Sequence, residues 1–319
     1  MSMVVGRFAP SPSGRIHLGN IFCCLLAWLS ARQKGGRVVL RIEDLDTARC
    51  PRRYAEQMIE DLRWLGLLWD EGPDVGGPDG PYFQSERTAL YQAALERLEE
   101  QGLVYPCFCT RAELHAASAP HREDGQVIYP GTCRDLTPAQ AAAKARESGR
   151  SPALRIRVPD RETAFTDGHM GRYEENLARD CGDFLLRRSD GMFAYQLAVV
   201  ADDGAMGVNQ VVRGRDLLSS TPRQILLYRL LGYPVPEFGH TPLLLASDGR
   251  RLSKRDGDQC LSGILSRGYS PRDVVGGLAY LGGLLPEPAP AWPEELLPLF
   301  SWEKLPREDI PLPAGLFGL

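Results

Sequence analysis

The chain has 319 residues, of which 43% are hydrophobic and 24% are charged, the proportions of an ordinary soluble globular protein. This length predicts one large domain with one or two appendages. The formal net charge of −4 counts against a generally nucleic-acid-binding surface, so an RNA site would have to be a local basic patch. The N-terminus has no basic signal-peptide segment, and the apolar stretch at residues 21–29 is too short to span a bilayer. We therefore expect a cytoplasmic protein without a membrane partner.

The first hundred residues predict alternating strands and helices. Short apolar runs alternate with longer segments in which apolar residues recur at helical spacing, and Gly, Pro and Asp separate them. This order is typical of a parallel sheet with helices on its faces, and thus of an α/β fold. The predicted strands cover residues 4–8 and 37–42, and the predicted helices cover residues 18–32, 51–65 and 85–101.

The alternation breaks down between residues 105 and 188, where cysteines and prolines surround one Ala- and Arg-rich helix predicted over residues 138–148. We interpret this region as an inserted α+β module. The α/β pattern then resumes, and the chain after residue 257 is helical and finally rich in proline. The elements predicted after the insertion are strands over residues 184–188 and 210–213 and a helix over residues 221–231.

The segment RFAPSPSGRIHLGN, at residues 7–20, joins a predicted strand to a helix N-terminus. Unpaired N–H groups and the helix dipole make such a junction suitable for binding phosphate. His17 can donate to a phosphate oxygen, and Gly19 lets a flat base lie against the backbone because it has no side chain. A single His-x-Gly is more often a plain helix cap, so this segment alone predicts little.

The segment RRLSKRDG, at residues 250–257, is a basic loop. Its lysine, Lys254, can follow the negative charge that develops on a leaving pyrophosphate. Taken alone, such a run of charges usually forms only a solvated surface.

Together the two segments resemble the paired signature of the class I aminoacyl-tRNA synthetases, and further matches resemble the glutamyl branch. The resemblance covers residues 4–257, and the separate motifs agree in sequence, order and spacing. The further matching segments are RFAPSPSG (7–14), RIEDLD (41–46) and VRGRDL (212–217).

This resemblance implies a Rossmann-type parallel sheet with an inserted zinc-bearing α+β module and a small helical C-terminal region. The expected segments are residues 1–104 and 184–245 for the two halves of the catalytic domain, residues 105–183 for the insertion, and residues 246–319 for the lysine loop and the helical, stem-contact-like region.

The resemblance also implies that ATP activates a carboxylate as its adenylate. A carboxylate is already an anion at neutral pH, so its attack on the α-phosphate needs no general base, and catalysis depends on positioning and charge neutralisation. His17 and Lys254 suit this catalytic role, with Mg²⁺ on the phosphates of ATP. The expected ATP-binding residues are Pro10, His17, Gly19, Asn20, Leu252, Ser253 and Lys254.

Glutamate as the substrate requires two cations and one anion, because it carries two carboxylates and one ammonium group. Arg7 and Arg213 can each clamp a carboxylate bidentately, and Glu43 can take the ammonium group. By resemblance, Ser11 and Tyr195 complete this pocket. The sequence does not assign the two arginines to the two carboxylates.

Three cysteines in the insertion, Cys107, Cys109 and Cys133, satisfy most of a tetrahedral zinc shell. The fourth ligand could be Tyr129, His121 or His115, and the residues alone favour His121, because a phenolate is an unusual zinc ligand. The resembled family has a Cys-x-Cys and Tyr-x-x-x-Cys arrangement, which implies Tyr129 and one structural Zn²⁺. The alternative is a group of reduced, buried thiols. The other five cysteines are interpreted as core or incidental residues.

About sixty residues follow residue 257, fewer than the anticodon-binding domains of a bacterial glutamyl-tRNA synthetase require. The chain therefore resembles the shortened glutamyl-queuosine tRNA(Asp) synthetases, which attach glutamate to the queuosine base in the anticodon of tRNA(Asp). Gln196 and Val199 match this branch, whereas the full-length enzymes typically have His and Asn at these two positions. Gly204 replaces a histidine common to both groups and receives no role. We expect a monomer with ATP, L-glutamate and queuosine-bearing tRNA(Asp) as partners.

Two alternatives stay open. The first is the same chemistry with another acceptor, the 3′ end of tRNA(Glu) or tRNA(Gln). The second is a catalytically inactive, synthetase-like RNA-binding protein. The presence of His17, Lys254 and the three charged pocket residues counts against the second alternative.

Overall fold

The computed structural model describes residues 3–116, 128–246, 248–250, 252 and 260–318, without the side chains of residues 111, 115 and 116. Its helices are α1 (Leu18–Gln33), α2 (Arg52–Trp64), α3 (Thr88–Glu100), α4 (Arg111–Ala116), α5 (Pro138–Ser148), α6 (Leu177–Asp180), α7 (Tyr195–Ala205), α8 (Thr221–Leu230), α9 (Leu261–Ser266), α10 (Pro271–Leu281) and α11 (Pro293–Leu296). Its strands are β1 (Val5–Phe8), β2 (Arg37–Leu40), β3 (Val104–Cys107), β4 (Ala153–Ile156), β5 (Glu162–Asp167), β6 (Gly171–Asn176), β7 (Leu185–Arg187), β8 (Gln210–Gly214), β9 (Glu237–Thr241), β10 (Leu244–Leu245) and β11 (Ile310–Pro311). None of the helices in this described part is long and apolar enough to cross a membrane.

Two pairs of parallel strands lie side by side at the centre of the fold. β1 pairs with β2, and β8 pairs with β9. The Asn209 amide donates to the Val5 carbonyl oxygen at 3.1 Å, and the Asn209 side chain accepts from the Val5 amide at 2.8 Å, which brings β8 beside β1. The carboxyl ends of parallel strands form the edge at which α/β sheets bind their ligands. A ligand site is therefore expected where β1 and β8 end.

Two hydrophobic clusters cover the two faces of these strands. In β2, Val38 belongs to the cluster that includes α1 and α10, whereas Val39 belongs to the cluster that includes α3, α7 and α8. Successive side chains of a strand point to opposite faces, so neither face of β2 is left open to solvent. This double covering is typical of parallel sheets and explains why β2 is a continuous apolar run.

Most predicted elements agree with the structure to within two residues. The helix predicted over residues 85–101 differs at its start, because Gln84–Glu86 form a 3₁₀ turn and α3 begins only at Thr88. Between them Arg87 turns inward, and its Nε donates to Asp202 at 2.6 Å. The backbone at Arg87 leaves helical geometry to make this buried ion pair. The elements that agree are the strand over residues 4–8 and the helices over residues 18–32, 51–65, 138–148 and 221–231.

One strand lies in a different sheet from the one expected. The strand predicted over residues 184–188 was expected to begin the second half of the parallel sheet, but β7 pairs antiparallel with β4, and β4 pairs antiparallel with β3. Apolar alternation shows that a segment is a strand but does not name its partner. The structure therefore groups β7 with the insertion, and the chain returns to the central sheet with α7 and β8, after the expected boundary at residue 184.

A hairpin that was not predicted extends from the insertion to the central sheet. β5 and β6 pair antiparallel, with Glu162 opposite Asn176 and Asp167 opposite Gly171. Its connecting turn reaches β9, where the Gly168 amide donates to the Phe238 carbonyl oxygen at 2.8 Å. The insertion thus contacts the strand that lies next to β8.

The proline-rich segment packs closely against α10. A Cβ on Gly276 would overlap the carbonyl oxygen of Ala289 and lie 3.2 Å from the Ala291 nitrogen. The Ala291 amide also donates to the Arg272 carbonyl oxygen at 3.0 Å. On the neighbouring position, a Cβ on Gly277 would lie 2.5 Å from Cζ of Phe317, the far end of a side chain. Gly276 is therefore required for the approach of two backbone segments.

Replacing Gly276 with alanine is expected to lower the free energy of unfolding by at least about 2 kcal/mol. The steric overlap with backbone costs more than the roughly 1 kcal/mol that alanine gains over glycine inside a helix. Gly277→Ala is the matched comparison, since the helix gain is the same but the Phe317 ring can shift. Urea unfolding of both variants measures the difference, and equal stability of the two would contradict the backbone contact.

Candidate active site

His17 lies at the start of α1, where the sequence predicts a phosphate site. It is the N-cap residue, and its Nδ1 accepts a hydrogen bond from the Asn20 amide at 3.4 Å. With Nδ1 as the acceptor, the proton of the neutral ring is on Nε2, which makes Nε2 a donor. A Cβ on Gly19 would lie 3.2 Å from Cε1 and Nδ1 of this ring, so the absence of a side chain at Gly19 leaves room for the imidazole. Capping the helix and donating to a phosphate are therefore compatible roles.

Both ends of the predicted lysine loop lie beside this first motif. Leu252 is buried, and its Cδ1 lies 3.9 Å from the position that a Cβ on Gly19 would occupy. At the other end, Cys260 forms an isolated β-bridge with His17, and the Leu261 amide donates to the Ile16 carbonyl oxygen at 3.2 Å. The fold thus brings together two segments that are more than 200 residues apart in the sequence. Ser253 and Lys254 themselves lie outside the described residues.

A cavity of about 90 Å³ opens where β1 and β8 end. Three of its lining residues are charged: Arg7, Glu43 and Arg213. Ser11, expected in this pocket, is exposed and is not among the lining residues. The full lining consists of Arg7, Phe8, Ala9, Pro10, Asn20, Cys23, Cys24, Ala27, Glu43, Tyr195, Val212, Arg213 and Leu217.

Arg213 is a buried cation, only 4% exposed, that is held by neutral groups. Its NH1 donates to Oε1 of Gln224 at 2.7 Å, and its NH2 donates to Oγ1 of Thr221 at 2.8 Å. Its Nε donates to Nε2 of His240 at 3.0 Å. No carboxylate within the described ranges forms an ion pair with it. Burial and the neighbouring Arg7 hold the pKa of Arg213 below its usual value, so an anionic ligand here would relieve an unfavourable charge.

The buried Arg41 binds Glu43 directly and is linked to Arg7 through Asp203, which contacts both arginines. Arg7 NH1 donates to the Val212 carbonyl oxygen at 3.1 Å, and its Nε lies 3.5 Å from Oδ1 of Asp203. Arg41 is fully buried and donates both to Oδ1 of Asp203 at 2.6 Å and to Oε1 of Glu43 at 3.1 Å. The Glu43 amide also donates to the carbonyl oxygen of Pro10 at 3.0 Å. The charged lining is thus preorganised by groups behind it.

Burial raises the pKa of Glu43 even though Arg41 and Arg7 act in the opposite direction. The ionised form of this carboxylate is therefore under-compensated by its protein neighbours. A cation next to it would favour ionisation, as an opposite charge does for a buried acid. Glu43 accordingly suits the ammonium group that the sequence predicts for it.

Asp202 and Asp203 are buried site residues that the sequence reasoning did not single out. Both are fully buried on α7. Asp202 accepts from Arg87, Gln84 and Tyr91, and Asp203 accepts from Arg41 and Tyr228. The signal in the sequence is a pair of adjacent acidic residues in an otherwise apolar segment, YQLAVVADDGA. Such a pair inside a helix that packs on the core requires buried cationic partners.

Gly204, which follows this pair, has a packing role. A Cβ at this position would lie 2.5 Å from the ring of Tyr233. The Tyr233 ring thus occupies space that a side chain at residue 204 would need. A side chain at residue 204 would therefore require the Tyr233 ring to move.

The predicted metal ligands of the insertion lie together. The Sγ atoms of Cys107, Cys109 and Cys133 are all within 4.8 Å of one another. The Tyr129 hydroxyl accepts from the Cys133 amide at 2.8 Å and shares a hydrogen bond of 3.5 Å with Sγ of Cys107. Burial and the neighbouring Cys107 and Cys133 raise the pKa of Cys109 to about 12. Three thiols this close cannot all ionise without a cation, which is the charge that a metal ion would supply.

Of the three predicted fourth ligands, Tyr129 is the one whose side chain the structure describes. His121 lies outside the described residues, and so does the side chain of His115. Tyr129 is held in place by Arg155, whose guanidinium lies 3.8 Å from the ring centroid and whose Nε donates to Sγ of Cys107 at 3.3 Å.

Comparisons with known proteins identify the family. Residues 3–287 match the family model for tRNA synthetases class I (E and Q), catalytic domain. The chain is 58% identical over 316 residues to a glutamyl-Q tRNA(Asp) synthetase from Symbiobacterium thermophilum, covering 98% of this chain and 97% of that protein. It is 46% identical to glutamate–tRNA ligase 2 from Alkalilimnicola ehrlichii, covering 86% of this chain and 58% of that protein.

The fold has solved relatives as well. A crystal structure of a glutamate tRNA ligase from Elizabethkingia meningosepticum in complex with its amino acid superposes with a TM-score of 0.83 at 31% identity, covering 99% of this chain and 68% of that one. The resemblance and the α/β class I fold predicted from the sequence motifs are confirmed. The family match over residues 3–287 and relatives at 46% and 58% identity show that the chain belongs to the class I tRNA synthetases for glutamate and glutamine.

Proposed function

We propose that the chain activates L-glutamate with ATP as glutamyl-adenylate, without requiring tRNA, and transfers the glutamyl group to the queuosine base in the anticodon of tRNA(Asp). The observation that carries this proposal is the charge of the cavity. Two guanidinium groups and one carboxylate line it. Glutamate presents two carboxylates and one ammonium group, which is the complementary set.

The surroundings of Arg213 support an anionic substrate. A buried cation without an anionic partner is costly, and a ligand that supplies the missing anion recovers that cost on binding. Glutamine would leave one arginine facing a neutral amide, and aspartate is one methylene shorter. We therefore expect glutamate to be preferred over both, since a fixed guanidinium fork matches a carboxylate at one distance.

In the activation step, the protein positions the two reactants and neutralises the negative charge on the phosphates. His17 donates from Nε2 toward the phosphates at the N-terminus of α1. The other described residues proposed to bind ATP are Pro10, Gly19, Asn20 and Leu252. Mg²⁺ carried by ATP supplies additional positive charge on the phosphates. Lys254 and Ser253 act on the leaving pyrophosphate, from the loop whose two ends lie beside His17. No residue has to remove a proton from the attacking carboxylate.

The acceptor is inferred from the relatives. The chain is 58% and 51% identical to two proteins named glutamyl-Q tRNA(Asp) synthetase, and 46% identical to a glutamate–tRNA ligase. The greater similarity to the glutamyl-Q group supports queuosine in tRNA(Asp) as the acceptor rather than the 3′ end of tRNA(Glu) or tRNA(Gln).

ATP–pyrophosphate exchange tests the activation step. We expect exchange with glutamate in the absence of tRNA and much weaker exchange with glutamine or aspartate. Absence of exchange with every amino acid, with and without tRNA, would favour a binding protein over an enzyme.

The acceptor is tested by transfer of labelled glutamate to tRNA(Asp) with and without queuosine, followed by nuclease cleavage. Label in the anticodon fragment of the queuosine-containing tRNA alone is the expected result. Equal labelling of the queuosine-free tRNA, or label in the 3′-terminal fragment, would overturn this acceptor.

The cysteine cluster supports one structural Zn²⁺, held by Cys107, Cys109, Cys133 and Tyr129. Zinc binds thiolates in tetrahedral structural sites, and the three sulfur atoms are already grouped. The site lies in the insertion, in its own small hydrophobic cluster. Its role is therefore to stabilise this module rather than to take part in the adenylation chemistry.

Metal analysis of the purified protein is expected to give about one zinc per chain. Cys109→Ser should lower the zinc content and the thermal stability. Cys181→Ser removes a half-buried thiol outside the cluster and should change neither. Less than about half an equivalent of zinc in the unmodified protein would overturn the site.

A further inference from the structure

A buried chain of hydrogen bonds runs from the insertion to Arg213. In it, Nδ1 of His240 lies 2.6 Å from Oδ2 of Asp167, and Nε2 of His240 accepts from Nε of Arg213 at 3.0 Å. Asp167 is the last residue of β5, His240 lies on β9 and Arg213 lies on β8. All three side chains are buried. The chain thus joins an inserted hairpin to one of the two cations of the cavity.

The hydrogen bonds require one protonation state of His240. A guanidinium group can only donate, so Nε2 of His240 must be the acceptor of the bond from Arg213. The ring proton is then on Nδ1, where it is donated to Asp167. Two positive charges, on Arg213 and on a protonated His240, would face each other in this buried space. Burial accordingly lowers the pKa of His240, and the charges of Arg213 and Arg7 lower it further against the opposing effect of Asp167.

Asp167 is itself held in one orientation. Its Oδ1 accepts from the amides of His169 at 2.9 Å, Met170 at 2.8 Å and His240 at 3.1 Å. Its Oδ2 is directed at the imidazole. Three backbone donors keep the carboxylate ionised and fix which oxygen His240 meets, as second-layer carboxylates do for functional histidines.

We propose that Asp167 is a positioning residue for glutamate recognition, acting through the tautomer of His240 on the orientation of Arg213. Asp167 keeps the His240 proton on Nδ1, so Nε2 accepts from Arg213 and fixes the plane of the guanidinium group. Gln224 and Thr221 then hold its terminal nitrogens, and NH2 also donates to the Leu217 carbonyl oxygen at 3.4 Å. Arg213 itself lines the cavity. This inference rests on the proposed function, because it takes a carboxylate of glutamate as the partner of Arg213.

The proposal gives the insertion a part in substrate selection. The hairpin is docked on β9 by the bond from the Gly168 amide to the Phe238 carbonyl oxygen, and the Phe238 ring stacks on His240 with a centroid distance of 6.3 Å. Movement of the hairpin would therefore move Asp167, the partner of Nδ1 of His240. If Asp167 only filled space, the ordered hydrogen bonds from Arg213 to His240 and from His240 to Asp167 would not be needed.

Asp167→Asn is the discriminating variant. The asparagine oxygen can still accept from the backbone amides, but its NH₂ group then faces His240 and shifts the ring proton to Nε2, against the Nε–H of Arg213. An acid-to-amide change acts on a catalytic histidine in the same way. We expect the KM for glutamate to rise by about 10- to 100-fold, the range for loss of a hydrogen bond to a charged group. The KM for ATP should stay unchanged.

Two further variants separate positioning from stability. Glu175→Gln changes another buried carboxylate of the same hairpin and should leave the KM for glutamate unchanged. His240→Gln places an amide oxygen near the Nε2 position and has no tautomer to set. In that background, adding Asp167→Asn should change the KM for glutamate by less than about threefold, because coupled residues are not additive.

The outcomes distinguish this inference from the proposed function. An unchanged KM for glutamate in Asp167→Asn, or equal rises in both KM values with a lower unfolding midpoint, would overturn the positioning role. The ¹⁵N spectrum gives a direct readout: a neutral His240 with its proton on Nδ1 is expected, and a proton on Nε2 would overturn the proposal. Calorimetry measures glutamate binding by the same variants. Binding by the unmodified protein without pyrophosphate exchange would overturn only the proposed function, and absence of binding would overturn both.

Discussion

Replacing Arg41 with methionine is expected to remove most of the stability of the protein. Arg41 is fully buried and lies between three carboxylates, Asp203 at 2.6 Å, Glu43 at 3.1 Å and Asp202 at 3.6 Å. Removing one partner of a buried ion pair costs about 3–5 kcal/mol, because the other charge is left without compensation. Here one substitution removes a cationic partner from three buried carboxylates at once. The free energy of unfolding of a whole domain is only about 5–15 kcal/mol.

Urea unfolding followed by circular dichroism measures this effect. We expect Arg41→Met to be largely unfolded or to lose at least about 4 kcal/mol, whereas Arg172→Met should change stability by less than about 1 kcal/mol. Arg172 is the matched control because it pairs with Glu174 at 2.9 Å on the exposed face of the β5–β6 hairpin. Similar unfolding free energies for the two variants would show that the carboxylates around Arg41 find other partners.

The same cluster shows where the sequence is informative about the site. Arg7, Glu43 and Arg213 were predicted from their types and motifs, and all three line one cavity. The charge pattern of glutamate requires these types, so the chemistry of the substrate constrains them directly. The residues that hold them were not predicted. Asp203, for example, is 162 positions from the Arg41 that it binds, and nothing local marks the two as partners.

The helices of the fold were predicted better than the pairing of its strands. Helices α1, α2, α5 and α8 were predicted closely because the residues that favour, begin and end each helix are all within a short stretch of sequence. The partner of β7 and the hairpin β5–β6 were missed, since strand pairing depends on segments far along the chain. The missed hairpin is the element that carries Asp167 to His240. The insertion thus supplies one part of the site that sequence reasoning could not reach, and the buried acids of α7 are another.

The role expected of Lys254 follows from the charge that develops on the leaving pyrophosphate. Leu252 and Cys260, the described residues at the two ends of the predicted loop, both lie beside the His17 motif. Lysine is a compact cation on a long stem, which suits a group that meets charge as it moves onto pyrophosphate. An interaction that appears only as the leaving group departs stabilises the transition state and not the bound substrate.

Lys254→Ala is therefore expected to lower the rate of adenylate formation by about 100- to 1,000-fold, the effect of removing one preorganised donor from a transition state. The dissociation constant of glutamate should change by less than about twofold, because Arg7 and Arg213 are the cations proposed to bind that ligand. Arg250→Ala removes the same charge from the same basic segment, where Arg250 pairs with Asp248 at 2.6 Å, and should lower the rate by less than about threefold. Pyrophosphate exchange and glutamate calorimetry on both variants separate rate from binding. If Lys254→Ala raised only the glutamate requirement, the lysine would belong to the substrate pocket, and charge neutralisation in the activation step would fall to His17 and Mg²⁺.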